Sequence, residues 1–98
     1  MVEKELIQLI NKQIDTDLTK DISRHELLQK LTVFINDLIL NDFQRLVAIL
    51  YKVDVDENKL KRILKEDAGK DAADIIARLI IEREIQKIET RKQFGSKK

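Results

Sequence analysis

Apolar side chains recur at helical spacing along most of the chain, and the longest such stretch covers residues 71–94. It contains no Gly or Pro, and its first half is almost continuously apolar. On a helix that turns about 100° per residue, the apolar side chains fall on two stripes. One stripe comprises Ala73, Ala77, Ile81, Ile85 and Ile88, and the other comprises Ala72, Ile76 and Leu79. A helix that is apolar on two sides must be covered on both, so we expect this helix, capped by Asp71, to organise the fold.

A buried strand over residues 75–82 is the alternative, because short Ile-rich runs fit either structure. The pattern extends well beyond strand length, however, and its second half is rich in Glu, Lys, Arg and Gln, which favour helices. Asp74, Arg78 and Glu82 also follow one another at a spacing of four, which predicts charge pairs along an exposed ridge. We therefore predict a helix.

Two amphipathic segments predict the first two helices. Residues 3–14 form a short helix, and for residues 15–22 a loop that tucks in Leu18 is favoured over a fraying helix. Ser23 and Glu26 have the spacing of a capping box, so the second helix should begin there. The apolar face of the first helix carries Leu6, Ile7, Ile10 and Ile14, and that of the second carries Leu27, Leu28, Leu31, Phe34, Ile35, Leu38 and Ile39.

A looser capping signal predicts the third helix. Asn41 is a good cap residue, and Gln44 stands where the return hydrogen bond would originate. We expect the helix that follows to bury Phe43, Leu46, Val47 and Leu50.

The start of the fourth helix has two solutions. Either Asp54 caps it, with an acid three residues later, or Asp56 caps it while Val55 packs onto Leu60. Gly69 suits a left-handed residue beyond the end of this helix. The side chains expected to point inward are Leu60, Ile63 and Leu64.

Composition narrows the fold class. The 98 residues include no Pro and only two Gly, which removes the usual punctuation of sheets and hairpins. We therefore predict an all-α fold, a compact bundle of four to five helices organised around a long C-terminal helix. Residues 1–94 are expected to form a single helical domain, followed by a disordered tail at 95–98.

Charge and hydropathy limit the function classes. The formal net charge is +1, so overall charge does not attract a polyanion, and the absence of Cys excludes disulfide and thiolate chemistry. The N-terminus lacks the pattern of a signal peptide, and no apolar run approaches the roughly 20 residues that span a bilayer. A cytoplasmic protein is the expectation.

Two short motifs resemble ligand-binding loops but lack essential residues. Residues 54–58 resemble the opening of a calcium-binding loop, yet Lys59 stands where Gly is needed and Lys65 where a bidentate carboxylate is needed. Residues 69–71 resemble the end of a phosphate loop, but Asp71 would repel phosphate. Helix capping explains both motifs better.

His25 is the only histidine, and no Cys accompanies it. A lone imidazole in a first helical turn is a weak metal ligand or nucleophile, so we expect a surface histidine. The sequence therefore assigns no catalytic, cofactor-binding or metal-binding residue and no cofactor, and it predicts that the protein is not an enzyme. A pocket that gathers Arg83, Glu84 and Tyr51 would reopen that question.

The third and fourth helices also have the spacing of a helix-turn-helix, in which basic side chains of the fourth helix would face phosphates. The acids Asp54, Asp56 and Glu57 at its N-terminal end disfavour DNA reading. The basic side chains in question are Lys59, Lys61, Arg62 and Lys65.

Basic residues near the C-terminus form the candidate interaction surface, which comprises Arg83, Lys87, Arg91 and Lys92. Arg83 stands apart because its helical angle lies with apolar residues, so its guanidinium must reach an acid, a backbone carbonyl or a partner chain, or extend to solvent at the outer half of the helix, which is the favoured alternative. The simpler interpretation of the others is favourable charge at a helix C-terminus, which Lys97 and Lys98 continue.

These patterns favour a non-catalytic helical module for protein association. The partner is another protein or a second copy, with a homodimer through the second or fifth helix as the first candidate, because residues 75–88 are more apolar than a short chain readily covers. A nucleic-acid accessory protein that uses the basic C-terminal end is the alternative, although nucleic acid is the less favoured partner. No small-molecule substrate is evident.

Overall fold

The computed structural model describes residues 2–14, 22–66 and 71–95. These residues form five α-helices: α1 (Val2–Ile14), α2 (Arg24–Asn41), α3 (Phe43–Val53), α4 (Glu57–Glu66) and α5 (Ala72–Gly95). The long helix α5 contacts each of the other four helices, and its closest neighbours are α2 and α1. The predicted all-α bundle around a long C-terminal helix is therefore confirmed.

The strongest capping signals act as predicted. The Ser23 hydroxyl accepts a hydrogen bond from the backbone N–H of Glu26 at 3.1 Å, and the Glu26 carboxylate accepts one from the Ser23 N–H. The Asp71 carboxylate accepts a hydrogen bond from the Ala73 N–H at 3.0 Å. Each of these side chains satisfies a backbone donor that has no partner inside its helix, which fixes where α2 and α5 begin.

The cap of α3 lies one residue later than predicted. The Asp42 carboxylate accepts from the Arg45 N–H at 3.2 Å, whereas the Asn41 side chain donates to the Asp37 carboxylate at 2.8 Å. Asn41 is thus the last residue of α2, and Asp42 is the N-cap residue of α3. The Asn41 amide does not cap α3 because it binds the Asp37 carboxylate, which lies one helical turn earlier in α2.

Of the two predicted starts of α4, the second is correct. The Asp56 carboxylate accepts from the N–H groups of Asn58 and Lys59 at 2.9 and 3.3 Å. Asp54 instead ends α3, in a left-handed conformation with φ 67° and ψ 49°.

The core lies where α1 and α2 cover α5. The predicted inward residues of α1 are all buried, and those of α2 are buried or half-buried. Helix α1 runs antiparallel to α5, since Glu5 lies 3.5 Å from Lys92 while Gln13 bonds Lys87 at 3.1 Å. The buried side chains of α5 are Ala73, Ile75, Ile76, Ala77, Leu79, Ile80, Ile81, Glu84 and Ile88. The bundle therefore covers the apolar surplus of α5 within one chain.

Helix α3 is rotated relative to the sequence prediction. Leu46 is buried as expected and Leu50 is half-buried, but Phe43 and Val47 are exposed. The residues that α3 buries are Leu46, Ile49 and Val53. The helix carries two apolar stripes and has only one buried side, so contact with α1, α2 and α5 decides which stripe is covered.

Other predictions lie outside the described residues: the loop around Leu18, Gly69, and the tail beyond Gly95, where α5 ends. The side chains of Ile63 and Leu64 are likewise not described. Within the described ranges, no helix is both long enough and apolar enough to cross a bilayer.

Candidate functional site

An apolar groove of about 210 Å³ lies between α3 and α4. Its rim carries Glu57 and Lys61, which pair with each other at 3.2 Å, so no unbalanced charge faces the opening. The apolar side chains that line the groove are Phe43, Val47, Leu50, Tyr51, Val55 and Leu60. A concave apolar surface bordered by balanced charge is the usual form of a binding groove.

One wall of the groove is a ridge of exposed side chains on α3. Phe43 is 60% exposed, Val47 36% and Tyr51 76%. The three follow one another at a spacing of four and therefore lie in one row along the helix. We call these three residues the α3 ridge.

The α3 ridge differs from a neighbouring aromatic side chain that is covered. Phe34 on α2 is half-buried, and the guanidinium of Arg45 lies 5.9 Å from the centre of its ring. This cation–π contact shields the Phe34 ring. No such contact covers Phe43 or Tyr51 among the described residues.

The other wall of the groove, α4, is held by polar contacts with α5. Arg83 donates from Nε to the backbone carbonyl of Asp54 at 3.0 Å and from Nη2 to the Asp54 carboxylate at 3.1 Å. Lys59 pairs with Glu82 at 3.1 Å. Arg83 thus finds an acid and a backbone carbonyl within the chain, and it fixes the turn that separates the two walls.

The structure spreads the remaining predicted interaction residues along the outer half of α5. Lys87 is mostly covered and donates to Glu84 and Gln13, both at 3.1 Å. Lys92 lies 3.5 Å from the Glu5 carboxylate, and Arg91 is exposed. Two of these three cations therefore serve contacts between α1 and α5.

Glu84 is the one polar or charged side chain that is buried among the described residues. Its Oε1 accepts from Lys87, while Oε2 has no hydrogen-bond partner there. Burial raises the pKa of this carboxyl above its ordinary value of 4.5, and the Lys87 hydrogen bond opposes the shift only in part. Glu84 is absent from the lining of the groove between α3 and α4, which includes Tyr51, and from that of a smaller cleft beside α5, which includes Arg83.

Two other sequence candidates, His25 and Lys59, do not line the groove. His25 is exposed in the first turn of α2, and Lys59, one of the expected phosphate-facing side chains, pairs with α5 instead. Across residues 2–14, 22–66 and 71–95, no three His, Cys, Asp or Glu side chains cluster as metal ligands would.

Sequence reasoning missed the α3 ridge, although a signal for it is present. Leu46, Ile49 and Val53 form a stripe at spacings of three and four, and the α3 ridge forms a second stripe on the same helix. Because the side of α3 that carries Leu46, Ile49 and Val53 packs on the core, the second stripe lies at the surface and is available for contact outside the core.

No family model matches the chain, and neither a curated protein nor a solved structure matches it.

Proposed function

We propose that this protein is a non-catalytic module for helix-mediated protein association and that the groove between α3 and α4 is its binding surface. The observation that carries the proposal is the α3 ridge, in which Phe43, Val47 and Tyr51 stay in contact with water beside a well-closed core. Scattered exposed apolar residues are ordinary, but a contiguous patch beside a groove is typical of an interaction site.

The groove suits an amphipathic helix that presents apolar side chains at spacings of three and four. Such a helix binds by laying its apolar face into a groove of this kind. Apolar surface gains about 25 cal/mol for each Å² removed from water, and aromatic side chains supply much of the area at interfaces. Phe43 and Tyr51 are thus the residues expected to dominate affinity, with Val47 between them.

Nucleic-acid binding through the C-terminal end of α5 receives less support. Phosphate contacts need cations that are free to pair, but Arg83, Lys87 and Lys92 already pair with Asp54, Glu84 and Glu5. The net charge of +1 adds no general attraction.

Affinity capture with matched variants tests the proposal. The wild-type protein, Val47→Glu and Val33→Glu are immobilised, and proteins retained from a cytosolic extract, together with added free copies of the chain, are quantified. Val33 is a suitable control because it is 71% exposed but does not line the groove. We expect wild type and Val33→Glu to retain the same protein, and Val47→Glu to retain at least tenfold less, because it places a charge in the contact.

Retention that is equal for all three proteins would contradict the proposal, as would an absence of any specifically retained protein. Helical content measured by circular dichroism verifies that Val47→Glu is folded. The partly exposed position of Val47 makes a folded variant the expectation.

A further inference from the structure

We infer that the groove is occupied by α3 of a second copy of this chain, in an antiparallel two-fold contact centred on Val47. This inference rests on the proposed function, since it names the partner of the same groove. It differs from the dimer through the second or fifth helix that the sequence suggested, because α5 is covered within the chain and the only large apolar side chains that α2 exposes are Val33 and Leu40, neither of which lines the groove.

The α3 ridge is symmetric about its middle residue. Phe43 stands four residues before Val47 and Tyr51 four residues after it, so an aromatic ring flanks Val47 at equal distance on each side. A two-fold axis that relates two antiparallel helices at Val47 places Phe43 of each copy near Tyr51 of the other. A self-complementary patch of this kind is what an isologous interface requires.

Each copy supplies both halves of the contact. The α3 ridge projects from the surface, and the groove beside it is bounded by Val55 and Leu60 on the α4 side. Rows of side chains spaced by four interlock when two helices cross at about 50°, the most common helix packing in globular proteins. The ridge of one copy then enters the groove of the other, and the reverse contact follows from the symmetry.

Charge agrees with an antiparallel arrangement. Asp42 caps the N-terminal end of α3, and Lys52 lies in its last turn. Antiparallel pairing about Val47 places Asp42 of each copy beside Lys52 of the other and brings opposite ends of the helix dipoles together. The net charge of +1 leaves little repulsion between copies.

The size of the patch sets the expected strength. Phe and Tyr side chains bury roughly 150–250 Å² each at interfaces, so the α3 ridge supplies roughly 300 Å² per copy. A stable interface buries about 800 Å² per partner. We therefore expect a weak, reversible dimer that forms only at high protein concentration.

Light scattering after size exclusion tests the dimer over about a hundredfold range of protein concentration. Wild type and Val33→Glu should pass from monomer to dimer across that range, and Val47→Glu should remain monomeric at every concentration, with unchanged circular dichroism. A wild-type protein that is monomeric throughout overturns the inference, as does a dimer that Val47→Glu leaves intact.

Cysteine cross-linking tests the orientation without interference, because the chain contains no Cys. Under mild copper–phenanthroline oxidation, Val47→Cys should cross-link to itself at the two-fold axis. A mixture of Phe43→Cys and Tyr51→Cys should give several times more cross-linked product than either variant alone. Preferential cross-linking of each variant to itself would indicate parallel helices and would overturn the arrangement.

The two proposals fail in different ways. A monomeric protein whose groove captures a foreign protein in a Val47-dependent manner overturns the self-contact and leaves the association function in place. A monomeric protein with no Val47-dependent capture overturns both.

Discussion

At the scale of single residues, the Glu84 carboxyl carries the clearest consequence. Its side chain is 0% exposed, its Oε2 lacks a hydrogen-bond partner among the described residues, and the charges that act on it belong to Lys87, Arg83 and Arg91 of α5. From α1, the side-chain carbonyl of Gln13 accepts a hydrogen bond from the Lys87 ammonium group. Burial penalises the ionised carboxylate more than this pairing compensates, so the pKa of Glu84 is raised.

A raised pKa fixes the sign of a pH effect on stability. Between the unfolded and the folded pKa of Glu84, the folded state binds more protons than the unfolded state, so the contribution of this group to the free energy of unfolding falls as pH rises. We expect wild type to lose stability relative to Glu84→Gln as pH increases from about 4 to about 8.

Urea denaturation across that pH range measures the free energy of unfolding of wild type and of Glu84→Gln. Taking the difference between the two values removes the effect of the other carboxylates. Glu89→Gln is the matched control, since it makes the same substitution at an exposed position of the same helix. A constant difference between wild type and Glu84→Gln would show that Glu84 does not titrate abnormally.

At the scale of helices, the turn between α3 and α4 depends on one left-handed residue. Asp54 has φ 67°, a conformation in which Gly carries no steric cost and Asp or Asn a small one. Arg83 binds both its carbonyl and its carboxylate. The carbonyl bond does not depend on the side chain, and an exposed ion pair is worth only about 0.2–1 kcal/mol.

The stability of variants at Asp54 should therefore depend on how easily each residue adopts the left-handed conformation. Asp54→Ala and Asp54→Gly both remove the carboxylate, but only Ala pays the steric cost of the left-handed region. We expect the Gly variant to be more stable than the Ala variant by about 1 kcal/mol in urea denaturation. Equal stability of the two variants would mean that this turn does not require the left-handed conformation.

The helices that sequence predicts well are those with local signals. Ser23 with Glu26 and the Asp71 cap each set a helix start through atoms only a few residues apart, and the apolar pattern of α5 is too long for the strand that was its alternative. The rotation of α3 was not predictable in this way. Both of its stripes are apolar, and the choice between them depends on packing against α1, α2 and α5, which no local signal within α3 specifies.

The candidate site was difficult to predict for the same reason, since it depends on contacts between helices. The basic residues of α5 are conspicuous in the sequence, but their partners, such as Asp54 for Arg83 and Gln13 for Lys87, come from other helices. All the residues that line the groove belong to the segment 43–61, but the groove depends on how α4 is oriented relative to α3, and contacts with Arg83 and Glu82 of α5 hold that orientation.

At the scale of the whole molecule, dimer formation and stability are linked. A partner that binds only the folded chain raises the melting temperature as concentration increases. For a chain of this size we expect an increase of about 3–5 °C for each tenfold rise in concentration above the dissociation constant.

Scanning calorimetry at several protein concentrations checks this expectation. Wild type and Val33→Glu should show the shift, whereas Val47→Glu should melt at one temperature regardless of concentration. A melting temperature of wild type that does not change with concentration would contradict the dimer.

Because α1 packs on α5, the hydrophobic core can form fully only after α5 has been synthesised. Leu6, Ile7, Ile10 and Ile14 leave the ribosome before the other four helices, yet much of their cover belongs to α5, the last of the five helices to be synthesised. At about 5–20 residues per second, the nascent chain waits several seconds between the two events. During that interval the apolar face of α1 lacks its contacts with α5. We therefore expect chaperones that bind the nascent chain to cover mainly this face.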